Sequence, residues 1–197
     1  IWDDLPFPHW NEPFYDSCDS LIAISKQTYN INKHVCQRKP RIEGVDLTYV
    51  QHGINENVYR PIKESDADFS DYFNFVTDRG WDKYETIFFF NSRNIRRKSI
   101  SDLIVAYRLF CDTLSAEEAA KCLVLLHTDP VDQNGTDLPA VVNSMCDPKI
   151  HKVKFDAQKW DEKHLNYLYN LSDCHMFMTD NEGWGLGLTE SLTAGKM

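Results

Sequence analysis

The chain has 197 residues, 42% of them hydrophobic and 26% charged, the balance of a folded protein of one or two domains with enough apolar material for a sizeable core. Lys and Arg number 21 against 30 for Asp and Glu, a formal net charge of -9 that disfavours long-range attraction to nucleic acid or to an anionic membrane. An anionic ligand must therefore be met by a local cluster of cations.

Short apolar runs alternate with longer segments of helical period, the pattern of βαβ units around a parallel sheet. In chain order the expected strands are Ser20–Ile24, Leu47–Val50, Thr86–Asn91, Cys122–Leu126, Lys152–Phe155 and His175–Met178. Between them the expected helices are Lys26–Cys36, Ile100–Leu114, Leu138–Cys146, Glu162–Leu171 and Gly187–Thr193. Ile100, Leu103, Ile104, Tyr107 and Phe110 repeat at helical spacing, with Ser99 or Ser101 available as the N-cap. The stretch from Gly53 to Lys83 has turn chemistry, then an acidic and poorly periodic run, and predicts a boundary between two α/β domains, 1–60 and 61–197. No apolar stretch approaches the roughly 20 residues needed to span a bilayer.

Six scattered cysteines, Cys18, Cys36, Cys111, Cys122, Cys146 and Cys174, contain no CxxC pair, so the expectation is reduced core thiols in a cytoplasmic protein. The sequons at Asn134 and Asn170 then carry little weight. His127, His151, His164 and His175 lack metal-ligand spacing, and no metal is expected.

In an open parallel sheet, ligands lie outside the carboxyl ends of the strands. The loops there are Ser92–Ser99, His127–Asp137, Asp156–Asp161 and Thr179–Leu186. The first, "NSRNIRRKS", packs Arg93, Arg96, Arg97 and Lys98 into six positions at a helix start, where the dipole disfavours cations. An anion-binding site explains this cluster better than a solvated basic patch. In the last loop, "TDNEGWGLGLTE", Gly183, Gly185 and Gly187 open the backbone to a phosphate, and Glu182 and Glu190 stand eight residues apart. Carboxylates beside a phosphate are repelled, so these two make sense facing hydroxyls, and a ligand with phosphates in the middle and hydroxyl-rich rings at both ends is a nucleotide sugar. His52, in a turn, reads as structural or as touching substrate, and Trp160 as stacking on a base or packing at a helix start.

"EGWGLGLTE" resembles the Glu-x7-Glu motif of retaining glycosyltransferases, and "SRNIRRKS" resembles their Gly-Arg-x4-Lys-Gly segment, particularly in glycosyltransferase family 4. "CDSLIAISKQT", "YVQHGIN" and "HKVKFDAQKWDEKHLNYLYNLSDCHMFMTDNEGWG" are similar to further segments of that family in the same order, so the resemblance spans nearly the whole chain. It implies the GT-B fold of two Rossmann-like domains, with the N-terminal acceptor domain largely missing and the C-terminal donor domain incomplete. It also implies transfer of a sugar from a nucleoside-diphosphate sugar to a hydroxyl acceptor (a glycan, lipid or protein) without a metal. The resemblance gives Arg93 and Lys98 to the diphosphate, Glu182 to the transferred sugar and Glu190 to the ribose. Gly185, Leu186 and Gly187 would offer backbone amides to the phosphate, with Lys154 to Lys159 beside the base. Ser92 replaces the usual glycine before the arginine, and Thr179 and Asp180 replace the usual Pro-Ser. Two other readings stay open: a glucan or disaccharide synthase of the same fold, and a non-catalytic nucleotide-sugar-binding or assembly module.

Overall fold

The computed structural model describes residues 12–15, 17–37 and 46–196. They divide into two compact units: one is the described chain up to Gly53 together with Asn181–Gly185, the other runs from Ile54 to Asp180 and resumes at Leu186.

In the first unit, a short helix α1 (Glu12–Tyr15) precedes strand β1 (Ser20–Ala23), helix α2 (Lys26–Gln37) and strand β2 (Asp46–Tyr49). β1 and β2 pair in parallel, and Ile31 and Val35 of α2 pack with Leu21 and Tyr15. The observed strands sit within a residue of the expected ones, and the Val50 amide still donates to the Ala23 carbonyl beyond the end of β2.

The second unit begins with helix α3 (Phe69–Thr77), inside the stretch expected to be irregular. Its aromatic residues do recur at helical spacing, and Phe75 and Val76 are buried. The acidic residues that made the segment look like a loop gather at its start, where Asp71 complements the helix dipole.

A four-stranded parallel sheet follows, ordered β5 (Val153–Asp156), β4 (Cys122–His127), β3 (Thr86–Asn91), β6 (Cys174–His175). Helices α4 (Ile100–Cys111), α5 (Ala116–Ala119), α6 (Leu138–Met145), α7 (Glu162–Leu171) and α8 (Leu186–Thr193) complete the unit. The central strands bury apolar side chains on both faces, as a covered parallel sheet requires. Ile87, Phe89, Leu123 and Leu125 face Tyr167, Leu168 and Tyr169 of α7, whereas Phe90, Val124 and Leu126 face Leu103, Ile104 and Tyr107 of α4. Cys111 and Cys122 are buried in the α4-side core, and all six cysteines are free thiols.

β3 and α7 match the expected bounds residue for residue. β6 is shorter than expected. After the Met176 amide donates to Phe89 O, the chain turns toward the loop that follows β3, where the Asp180 amide donates to Arg97 O. Helix α4 ends at Cys111 rather than Leu114. No helix among the described residues is long and apolar enough to cross a membrane.

Candidate functional site

The site is built at the carboxyl ends of β3, β4 and β5. The sheet register lines up Asn91, His127 and Asp156, each the polar residue that ends an apolar strand. Because Leu123 and Leu125 face α7, the alternation of a strand puts His127 on that face as well.

The loop after β3 is held from beneath by Asn94, which is 2% exposed. Its side-chain amide donates to the carbonyls of Pro130 and Thr136, and its oxygen accepts from the Thr136 amide. Gly135 lies so close that a Cβ there would collide with the Asn94 carbonyl, which explains the glycine. Thus the loop after β3 and the loop after β4 are one hydrogen-bonded body.

The basic run forms a 3-10 turn at Arg96–Lys98, and it ends on Ser99 with φ 46, the one non-glycine residue of positive φ among the described residues. Ser99 occupies the N-cap position of α4 as expected, but in the left-handed conformation it makes no side-chain capping bond. Left-handed backbone at a serine costs on the order of 1 kcal/mol and is usually found where surrounding structure demands it.

The turn separates the cations. Lys98 points inward, 7% exposed, with its ammonium 5.3 Å from the centre of the Phe177 ring. Burial, and secondarily the Arg97 charge, lower its pKa to about 8. Arg93 points outward and pairs with Asp132, Nε to Oδ2 at 2.8 Å. One of the four cations expected to need an external anion is therefore matched within the chain, by a carboxylate on the loop after β4. Arg97 reaches Thr179 Oγ1 at 3.5 Å.

On the other side of the same sheet end stands α8. Gly187 lies against Asn91 O, Tyr169 Oη and the ring of His175, and a Cβ there would come within 3.3 Å of the first and 3.4 Å of the second. Glu190, one turn on, accepts a hydrogen bond from Tyr169 Oη at 2.7 Å, and the same hydroxyl accepts from Asn91 Nδ2 at 2.9 Å. Burial and then the Glu190 charge raise the pKa of Tyr169 well above the ordinary phenol value, and the same two causes act on Tyr59. Tyr169 thus remains a donor, and the chain Asn91, Tyr169, Glu190 fixes the carboxylate. Leu186 is 43% exposed at the helix start.

Glu182 and Gly185 belong to the segment that groups with the first unit. Gly185 is buried with φ 87, a backbone only glycine adopts readily. Gly183 packs on Ile24, and the rings of His52 and Trp184 lie 6.4 Å apart. The structure therefore brings Arg93, Lys98, Leu186, Gly187 and Glu190 into the second unit, while Glu182 and Gly185 are counted with the first.

The Asp156 loop has a feature that sequence reasoning did not single out. Asp156 Oδ2 accepts from Trp160 Nε1 at 2.6 Å and bonds His127 Nδ1 at 3.2 Å, while Oδ1 accepts from the Gln158 amide. Burial pushes this carboxyl up, but the three hydrogen bonds outweigh it and hold the pKa below the ordinary value. Trp160 is accordingly a packed aromatic at a helix start, tilted against His164 and edge-on to Phe75. The signal available in the sequence was the polar residue closing each apolar strand.

Concavities of 340 Å³ and 650 Å³ flank β5, both touching Lys154. Neither includes Arg93, Lys98 or Glu190. Among the described residues no group of three His, Cys, Asp or Glu side chains is placed to hold a metal ion.

In comparison with known proteins, no family and no curated sequence matches the chain. Solved structures do. Sucrose-phosphate synthase from Thermosynechococcus elongatus aligns with 98% of this chain at 18% identity and a TM-score of 0.65. Trehalose 6-phosphate synthase from Burkholderia multivorans aligns with 92% at 7% identity and a TM-score of 0.66. The Anabaena protein HepE, solved in complex with UDP and glucose, aligns with 91% at 15% identity and a TM-score of 0.62. The chain spans 43% of the length of each of these three. At such identities the likeness speaks for the fold, which is a mixed α/β, Rossmann-like portion of the GT-B architecture.

Proposed function

We propose that the chain is part of a glycosyltransferase that moves a sugar from a nucleoside diphosphate to a hydroxyl acceptor, and that the second unit binds the donor. The observation that carries this reading is the arrangement of opposite chemistries at one sheet end. The loop after β3 bears Arg93 and Lys98, while α8 bears Glu190, oriented by Tyr169, with Gly187 bare beside it. Cations suit a diphosphate, a fixed carboxylate suits a pair of ribose hydroxyls, and backbone amides at a helix start suit phosphate oxygens. The fold shared with sucrose-phosphate synthase and with a protein crystallised with UDP and glucose supports the same reading.

In this scheme Arg93 exchanges Asp132 for the diphosphate, and Lys98 adds charge from below. Glu182 is given the transferred sugar by the likeness of its motif alone. Departure of the nucleoside diphosphate leaves positive charge on the sugar ring, and the acceptor hydroxyl attacks from the same face, giving its proton to the leaving diphosphate. The anomeric configuration is retained. The cations stabilise the negative charge that develops on the leaving group, often the largest catalytic contribution, and make a metal dispensable.

The test is calorimetric titration of the protein with UDP-, GDP- and ADP-sugars beside Arg93→Ala and Glu190→Ala variants. One donor should bind, and each variant should bind it at least about tenfold more weakly, the loss expected for one charge-assisted contact. A folded protein that binds none of the three overturns the proposal.

A further inference from the structure

We propose that His127, held by Asp156, is a nucleoside-binding residue of this site: its Nε2 accepts a hydrogen bond from an N–H of the base or an O–H of the ribose. The proposal rests on the reading of the second unit as a nucleotide-sugar donor site and adds to it a contact on the nucleoside.

Asn91, His127 and Asp156 occupy one register row across three strands, on the face covered by α7. At one end of the row, Asn91 is tied through Tyr169 to Glu190. At the other, Asp156 is tied to Trp160 at the start of the turn into α7. His127 lies between the group suited to ribose hydroxyls and the loop beyond β5.

A structural role for Asp156 is satisfied without the histidine, since the bonds to Trp160 Nε1 and the Gln158 amide already anchor the loop. Putting an imidazole beside a carboxylate whose side chain is 8% exposed, on a face otherwise filled by Phe, Leu and Tyr, adds desolvation that an apolar residue would avoid. What the pairing does accomplish is orientation. A carboxylate can only accept, so Nδ1 carries the shared proton and Nε2 is left as the nitrogen that faces a ligand. The histidine side chain keeps 15% of its surface exposed, at the sheet end where ligands bind.

The test compares the protein with its His127→Ala, His127→Gln and Asp156→Asn variants, titrated with UDP, GDP, ADP, 2′-deoxy-UDP and inorganic pyrophosphate. Arg93→Ala serves as a reference, and thermal unfolding verifies each fold. His127→Ala should weaken the preferred nucleoside diphosphate about tenfold, the worth of one buried hydrogen bond, and leave pyrophosphate unchanged. His127→Gln, whose amide oxygen can accept, should recover most of the loss. Asp156→Asn, whose amide oxygen at the Oδ2 position can still accept from Trp160 Nε1 and His127 Nδ1, should keep most of the wild-type affinity. Loss of discrimination between bases in His127→Ala identifies the base as the partner; loss of discrimination against the 2′-deoxy compound identifies the ribose.

Nucleotide binding that depends on Arg93 but is untouched in His127→Ala overturns this inference alone. An equal loss for pyrophosphate in His127→Ala also overturns it, since the histidine would then only shape the loop. Failure of the folded wild-type protein to bind any nucleotide overturns the donor-site reading and this inference with it.

Discussion

Lys98 shows how one buried charge turns a sequence motif into a measurable property. Its ammonium is 7% exposed and carries a pKa lowered to about 8, first by burial and then by Arg97. A diphosphate brought beside it would favour the protonated form and raise that pKa. Affinity for a nucleotide sugar should therefore be full below pH 8 and fall as the pH rises through 8, because the free site loses its proton before the bound site does. Titrations of a nucleotide sugar between pH 7 and 9.5 should show this decline in the wild-type protein, and Lys98→Met should bind weakly with a flat profile. A wild-type profile equally flat would mean that Lys98 does not meet the phosphates. The lysine itself stands out in the sequence as part of a basic run. Its burial does not, nor do the partners that define the site: Asp132 lies 39 residues from Arg93, Tyr169 lies 21 from Glu190, and Asp156 lies 29 from His127. Such pairings are made by strand register and loop closure, and a local reading of residue types has no access to either.

Among the elements, α8 is the most constrained where it begins. Gly187 is wedged against Asn91 O, Tyr169 Oη and His175, the last buried with neither ring nitrogen hydrogen-bonded and with its pKa lowered by burial to about 4. Gly187→Val would force the helix away from β3 and should destabilise the fold by about 1–3 kcal/mol, the usual cost of overpacking, while also disturbing the bond between Tyr169 and Glu190. Urea unfolding would read the first effect and nucleotide titration the second; a variant as stable as the wild type would show that the helix start yields freely. The elements legible in the sequence are those with one unambiguous period. β3 is an uninterrupted apolar run, and α7 carries an apolar stripe behind Asp161, whose carboxylate caps the helix by accepting from the His164 amide. α3 was obscured by its acidic start. β6 was overextended because apolar residues continue past His175 after the chain has left the sheet.

At the scale of the whole second unit, closure depends on two asparagines of α7 that reach back more than a hundred residues. Asn166 Oδ1 accepts from the Arg60 amide and Asn170 Oδ1 from the Ile62 amide, while Asn170 Nδ2 donates to the Arg60 carbonyl. The segment 59–62 is thus fastened to a helix by side chains in place of a strand ladder. Near the other end of the unit, Gly195 (φ 79) abuts Pro61. Asn170→Ala would leave the Ile62 amide and the Arg60 carbonyl without these partners, and should cost on the order of 2–3 kcal/mol. Limited proteolysis should then cut near residues 59–62 at protease concentrations that leave the wild-type chain intact; unchanged resistance would show that the Asn166 bond to the Arg60 amide and the packing of Tyr59 and Pro61 hold the segment without Asn170. The α4 side of the sheet has a consequence of another kind. Cys111 and Cys122 are 1% and 5% exposed, and burial raises both thiol pKa values. Alkylation requires an exposed thiolate, so neither sulfur reacts until that core opens. The two thiols are a built-in clock: the rate at which an alkylating reagent labels them in native buffer times the opening of the core on the α4 face of the sheet, with no residue introduced for the purpose.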